Sequence, residues 1–372
     1  MDSVRALACA AVIVWHAFLT VVPQAPSPGQ ALVALPLGAV AREAVVVFVV
    51  LSGYLLGRHW RGGFTRDDLG TTFRTYMLRR TWRMVPPYWA ALVFAAAAIL
   101  ALGLGDPRGT HWDHSLPLTW ERFAVDALMI SDVVGQVPIS HQLWTVPIEF
   151  HLYLAAPLIV LLRTRWAALA LGSAATVAVA VSMPYFHAPY FVFAFVVAFW
   201  VGVRRQSVAT RSPWSLAALL APAAALSVIL ALVITVWGGL PQSTGRYFVL
   251  DAFVAPVFTW WIVVSDVTAS RSWLIRLLDL RPLRWLGRLS YSHYLTHAVM
   301  IELTWRWVVE PVGWVSDSAN IWAMIVLGYA LSLVVAVGFY RAIELPSMRI
   351  SRRIGAAKRR VGPPVHIGSD AP

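Results

Sequence analysis

Apolar residues run in stretches long enough to cross a hydrocarbon core, which takes about 20 residues each. These stretches recur along almost the whole chain and are separated by short polar or basic connections. They start near Val4, Ala41, Val85, Gln142, Trp166, Pro189, Trp214, Tyr247, Gly287 and Asn320. The pattern predicts an all-α fold, a polytopic integral membrane bundle of about ten transmembrane helices. The Pro189 stretch is short, which suits either a helix with little tilt or a partly re-entrant one. No internal repeat is visible. The connection from Gly105 to His141 is longer than a bare link needs, so it is expected to fold over the outer mouth of the bundle. It carries His111, Trp112, His114 and Trp120, which either contact a polar acceptor or are, as is more usual for these types, ordinary interfacial residues.

Composition supports a membrane solvent. The chain of 372 residues is 59% hydrophobic and 13% charged, where a soluble domain carries roughly 25% charged residues. The formal charge of +12 would suggest nucleic acid in a soluble protein. Here the basic residues sit in short clusters between apolar spans, which is a topology signal. With the amino terminus inside, all of the 30 basic residues except Arg42, Arg108, Arg122, Arg246 and Arg306 fall on the cytoplasmic side. Both termini are therefore expected in the cytoplasm, with an even span count. Val4–Val22 shares an early Arg and an apolar run with a cleaved signal peptide, but the register of the later basic clusters requires it as a span. Residues 1–346 are read as one transmembrane domain and 347–372 as a basic, disordered cytoplasmic tail. Abundant Ala, Val and Arg beside a single Lys suggest a GC-rich bacterial genome, hence a multi-pass protein of the bacterial plasma (inner) membrane. Cys9 is the only cysteine, which excludes an intrachain disulfide.

Ionisable groups inside spans cost at least about 2.5–3.5 kcal/mol at a helix centre and call for a partner or a function. Arg5 and His16, eleven positions apart, return to nearly the same helical face about 16 Å apart along the axis. One cavity would then hold a cation near the cytoplasmic entrance and an imidazole, the usual general base near neutral pH, about halfway through the membrane. The competing reading is a snorkelling Arg and a His bonded to a backbone carbonyl. Glu149, Tyr153 and Pro157 form one stripe facing the interior, and Pro147 suits a broken helix beside the carboxylate. Arg79, Arg80 and Arg83 lie within about one helical turn, just before Pro86 and Pro87. Such a cluster binds phosphate through forked hydrogen bonds or anchors to anionic headgroups. Ser52-Gly53 reads as a close helix-packing point. No glycine-rich phosphate loop, no metal-ligand spacing and no Gly-x-Ser-x-Gly turn is present, so neither a metal nor a bound cofactor is expected.

These segments together resemble the acyltransferase type 3 family of membrane O-acyltransferases, from Asp2 to about Pro346. The resemblance is carried by Asp2-Ser-Val-Arg5 with His16 and by Phe48-Val-Val-Leu-Ser-Gly-Tyr54. Arg79-Arg-Thr-Trp-Arg83 with Pro86-Pro-Tyr88 adds to it, as do Leu143-Trp144 with Glu149 and Tyr153, Gly287 to His297, and Arg341 to Pro346. It implies transfer of an acyl group, usually acetyl, from cytoplasmic acyl-CoA to a hydroxyl of a glycan, glycolipid or natural-product acceptor. It also implies that the Arg5 and His16 pair is essential. Glu149 matches the first acid of the family's frequent Glu-Glu pair, and Phe150 stands where the second would be. Pro147 and His293 are further departures, which bear on acceptor geometry.

The expected mechanism docks acyl-CoA phosphates on Arg79, Arg80 and Arg83 with help from Arg5. His16 then acts as general base, and Glu149 orients the imidazole or the acceptor. An acyl-His16 intermediate is an alternative. Ser52, Tyr54, Trp144, Tyr153, Ser290, Tyr294 and His297 are candidates to line the same cavity. The competing class is a proton-coupled transporter or lipid flippase, because intramembrane His, Arg and Glu also build proton pathways.

Overall fold

The computed structural model describes residues 1–22, 28–59, 69–161, 188–203, 254–262, 266, 278–313 and 316–357. Among these there are helices and turns and no strand. In chain order come α1 (Asp2–Val21), α2 (Pro28–His59) and α3 (Leu69–Ala101), then an outer connection containing α4 (Trp120–Ala127). α5 (Thr145–Leu161), α6 (Ala188–Val203) and α7 (Arg281–Thr304) follow. A last rod is made of α8 (Asp317–Ala323), α9 (Tyr329–Phe339) and α10 (Leu345–Ala357), joined by π-helical turns at Met324–Gly328 and Tyr340–Glu344.

Among the described residues, four helical stretches are long and apolar enough to cross a membrane: Asp2–Val21, Leu32–Arg58, Phe73–Ala101 and Asp317–Ile354. Phe191–Val203 is a shorter apolar helix. The stretches expected to begin at Trp166 and Trp214 lie outside the described residues, as does the one beginning at Tyr247 apart from 254–262 and 266. The expected tail begins inside α10, which runs to Ala357; residues 358–372 lie outside the described residues.

α7 differs from the rest in polarity. Ser290, Ser292, His293, Thr296, His297, Glu302 and Thr304 are all buried on it. In an apolar solvent every such group needs a partner within the protein, and α7 finds them by packing against α1, α3 and α9. Close approach is made possible by glycine. A Cβ at Gly287 would run into the backbone carbonyl of Asp2, and one at Gly53 or Gly57 into the carbonyls of Phe195 or Phe199 on α6. The packing point expected at Ser52-Gly53 is thus an α2–α6 seam of small residues.

Prolines join α3 to α10. Pro86 has no N–H to give to the carbonyl four residues earlier, and that carbonyl, on Trp82, accepts instead from the hydroxyl of Ser347. One turn away the Ser351 hydroxyl donates to the Arg79 carbonyl at 2.7 Å.

The outer connection folds into a lid of short helices at His111–Ser115, Trp120–Ala127, Ser131–Val134 and His141–Trp144. Arg122 holds it by donating to the carbonyls of His114, Pro117, Val137 and Pro138. Asp126 is fully buried within it and accepts from the Ile139 N–H at 2.8 Å. Burial raises the Asp126 carboxyl from its ordinary 3.8 up to about 6, against that hydrogen bond, which lowers it.

Two predictions follow from this packing. Gly57→Val is expected to destabilise the α2–α6 seam by about 1–3 kcal/mol, because the obstructing atoms are backbone; thermal unfolding in detergent reads the loss. Asp126 holds its proton more tightly folded than unfolded, so its contribution favours folding below its ordinary value and is lost as pH rises through about 6. Asp126→Asn is therefore expected to match the parent's melting temperature near pH 4 and exceed it above pH 6.

Candidate active site

The seam between α1 and α7 starts at Gly287 beneath the Asp2 carbonyl and continues where the Cys9 thiol donates to the Ser290 carbonyl at 3.4 Å. Two turns further it brings His16 to His297, with Nδ1 of the first 2.8 Å from Nε2 of the second and the rings within 6° of parallel. The hydrogen bonds determine the tautomers. Nδ1 of His297 is 2.7 Å from the Tyr294 carbonyl, which can only accept, so this nitrogen carries a proton. With the ring neutral, Nε2 of His297 then accepts, and His16 must donate from Nδ1. The lone pair of His16 is left on Nε2, the nitrogen turned away from His297.

The lid covers this nitrogen with two more imidazoles. The ring centroids of His111 and His141 lie 5.8 and 5.0 Å from that of His16 and 4.4 Å from each other. His141 is held by Ser115, whose hydroxyl oxygen accepts from its backbone N–H at 3.1 Å and lies 3.3 Å from Nδ1. Burial lowers the His141 imidazole well below its usual range, and the neighbouring His111 adds to this. Burial, with a contribution from His114, brings His111 down to about 4. Both lid imidazoles are thus neutral at pH 7.

The lid is tied to α7 by buried polar bonds. Tyr294 donates to the Gln142 carbonyl at 2.7 Å and meets the Thr145 hydroxyl at 2.8 Å. Glu302 pairs with Arg306 at 2.6 Å and accepts from Thr110 at 2.9 Å, while Arg306 reaches the carbonyls of Gly103 and Asp106.

A second cluster lies one helical turn along α5 from Thr145. Glu149 accepts at Oε1 from the hydroxyls of Ser52 and Tyr153, the latter at 2.8 Å. The Arg80 guanidinium sits 4.4 Å over the Tyr153 ring and 5.7 Å from that of Tyr76, a cation–π arrangement. Arg5, paired with Asp2 at 3.4 Å, is close enough to Arg83 and Glu149 to feel their charge.

The structure therefore brings His16, His297 and Tyr294 into one group and Ser52, Glu149, Tyr153, Arg80, Arg83 and Arg5 into another. Other candidates lie elsewhere. Arg79 is exposed, with its carbonyl against α10. Tyr54 donates to Asp266, the partner of Arg58. Ser290 turns back to the Gly287 carbonyl of its own helix, and Trp144 is partly buried at the end of the lid. His16 is hydrogen bonded to His297, because the α1–α7 approach puts the two imidazoles in line, and Glu149 is bonded to Ser52 and Tyr153. One expectation is corrected. Pro147 does not break α5: it stands in the first turn, where a backbone N–H has no partner within the helix to lose. His111 belongs to the loop expected over the outer mouth, whereas His141, Ser115 and the Glu302–Arg306 pair were not expected at the site. Only the last left a local signal, two opposite charges four residues apart in an apolar stretch.

Membrane-length apolar helices packed against a polar helix that carries a hydrogen-bonded imidazole pair define a membrane protein. The model of an acyltransferase domain matches residues 1–341, and the chain belongs to the acyltransferase type 3 family of membrane acyltransferases. No curated protein and no solved structure matches it. Nothing in the fold or in this match supports the transporter reading.

Glu149 tests the second cluster. Glu149→Ala leaves two buried hydroxyls without their acceptor and is expected to cost about 2–4 kcal/mol. Glu149→Gln keeps an acceptor oxygen in place and is expected to cost less than half as much. Melting of both variants in the same detergent gives the comparison.

Proposed function

We propose that the protein is an O-acyltransferase of the bacterial inner membrane that moves an acyl group, acetyl in the simplest case, from cytoplasmic acyl-CoA to a hydroxyl of a glycan, glycolipid or related acceptor. The observation that carries this reading is the chain of hydrogen bonds from the Tyr294 carbonyl through His297 to His16. It leaves one unprotonated nitrogen, Nε2 of His16, facing a covered space. A neutral imidazole whose far nitrogen is hydrogen bonded is the arrangement general-base catalysis needs.

Arg5, Arg80 and Arg83 gather around the cytoplasmic half of the same bundle, where guanidinium groups bind phosphate oxygens of the donor. Arg79, one turn from Arg83 on the same face, extends that surface toward the aqueous entrance. The donor's thioester then points along α1 toward His16, about 16 Å from Arg5. As the acceptor oxygen attacks the thioester carbon, Nε2 of His16 takes the hydroxyl proton. The C–O bond forms, the carbon–sulfur bond breaks, and the CoA thiolate leaves with the proton that His16 returns. Stabilisation of the imidazolium comes from His297, which then accepts a charge-assisted hydrogen bond from Nδ1. Glu149 with Ser52 and Tyr153 holds the α2–α5 wall through which the donor passes and balances the charge of Arg80 and Arg5.

Purified protein is to be assayed with labelled acetyl-CoA for thioester loss and acyl transfer. His16→Ala is expected to lose at least about 10²-fold in turnover. The triple Arg79/Arg80/Arg83→Ala variant is expected to raise KM for acetyl-CoA tenfold or more. Near-parental turnover by a folded His16→Ala protein would rule out the general base.

A further inference from the structure

We infer that His16, His111 and His141 form a binding site for a divalent transition metal of the zinc class, made only when the lid lies over α1. One ring nitrogen from each of the three imidazoles lies within 4.8 Å of the other two. Their ligand atoms can be identified. Nδ1 of His16 is taken by His297 and Nδ1 of His141 lies against Ser115, so each offers Nε2. Nε2 of His141 is buried and makes no hydrogen bond. No carboxylate is hydrogen bonded to any of the three rings among the described residues. Among the described residues three imidazoles thus crowd together, with Nε2 of His141 buried and unpartnered, in a place where an added proton would meet only other imidazoles.

A metal ion resolves this conflict. Zinc takes neutral imidazole nitrogens at about 2.0–2.1 Å in a tetrahedron, which puts them roughly 3.4 Å apart, so the three rings need to close by about 1.5 Å. Two of them ride on single 3₁₀ turns of the lid, which can move that far without disturbing a span. The outer partners suit a metal site: Ser115 holds His141, and His297 accepts from His16, raising the basicity of the nitrogen that binds. Three protein ligands leave a fourth position open to water. All-nitrogen donors favour zinc, copper or nickel over calcium and magnesium, which need oxygen.

Occupation of this site has a consequence that rests on the reading of His16 as general base. The metal consumes the lone pair on Nε2, the same one that takes the acceptor's proton, and it ties the lid to α1. Zinc is therefore an inhibitor, competing with the acceptor hydroxyl and reversed by chelation.

The test uses the full chain, purified through a tag without histidine and stripped with chelator in detergent. Equilibrium dialysis against Zn²⁺ is expected to give one ion per chain and a rise in melting temperature. His111→Ala and His141→Ala are each expected to weaken binding at least tenfold and abolish that rise, while His114→Ala, beside the site, keeps both. Should a variant fail to fold, Co²⁺ bound to the parent chain supplies an independent reading. Intense visible bands of a four-coordinate nitrogen site support the proposal, and the weak bands of six-coordinate oxygen ligation overturn it. Zinc binding unaffected by both lid variants, or no binding, also overturns it. Binding that depends on the lid histidines, with turnover indifferent to zinc, would preserve the site and remove His16 as the base.

Discussion

The hydrogen bond between His16 and His297 exists because α1 and α7 approach more closely than side chains normally permit. Gly287 allows this by presenting no Cβ to the Asp2 carbonyl, and the contact continues through Cys9 and Ser290. A buried imidazole such as His297 is costly in an apolar bundle unless its ring nitrogens find partners, and half-buried His16 supplies one. Their pairing makes α7 a tolerable interior helix in spite of its polarity, fixes which nitrogen of His16 keeps its lone pair, and aims that nitrogen at the lid. Larger residues at position 287 would separate the helices and remove all three effects together.

The lid depends on a similar economy at the other end of α7. Arg306 is buried yet fully engaged, by Glu302 and by the carbonyls of Gly103 and Asp106. A buried ion pair is weak evidence for net stability, but one that also satisfies irregular backbone has a clear structural use. It gives carbonyls just beyond α3 the donors that a helix would have supplied. With Arg122 doing the same for the middle of the connection, a long segment without long helices becomes a fixed cover that holds His111 and His141 over His16.

Two clusters are set along the bundle, one of imidazoles and one of a carboxylate with guanidinium groups. α1 carries Arg5 toward one and His16 in the other, and a rigid helix keeps the distance between them constant; under the proposed mechanism this is the distance from donor phosphates to base. Glu149 belongs to the second cluster with Ser52, Tyr153 and Arg80. Under the proposed mechanism, the order of polar groups from guanidinium through carboxylate to imidazole suits a long donor entering from one end and an acceptor from the other.

Much was legible from the chain alone, for local reasons. Apolar runs of membrane length announce helices because the backbone has no other way to satisfy itself in lipid, and a ring nitrogen or carboxylate inside such a run announces a site because it is costly to place there. Arg5, His16, Glu149 and the arginines after Phe73 stand out on that ground, and the order of the motifs carries the family. What Glu149 and His16 bond to was not legible, because that depends on which helices meet: His297 is 281 positions from His16 and Ser52 is 97 from Glu149. Pro147 reads as a helix breaker until the start of α5 is known to lie only two residues before it. The three-histidine cluster is the furthest from sequence. Its members come from a span and two lid turns with no ligand spacing between them, and only the folding of the lid onto the α1–α7 seam makes neighbours of them.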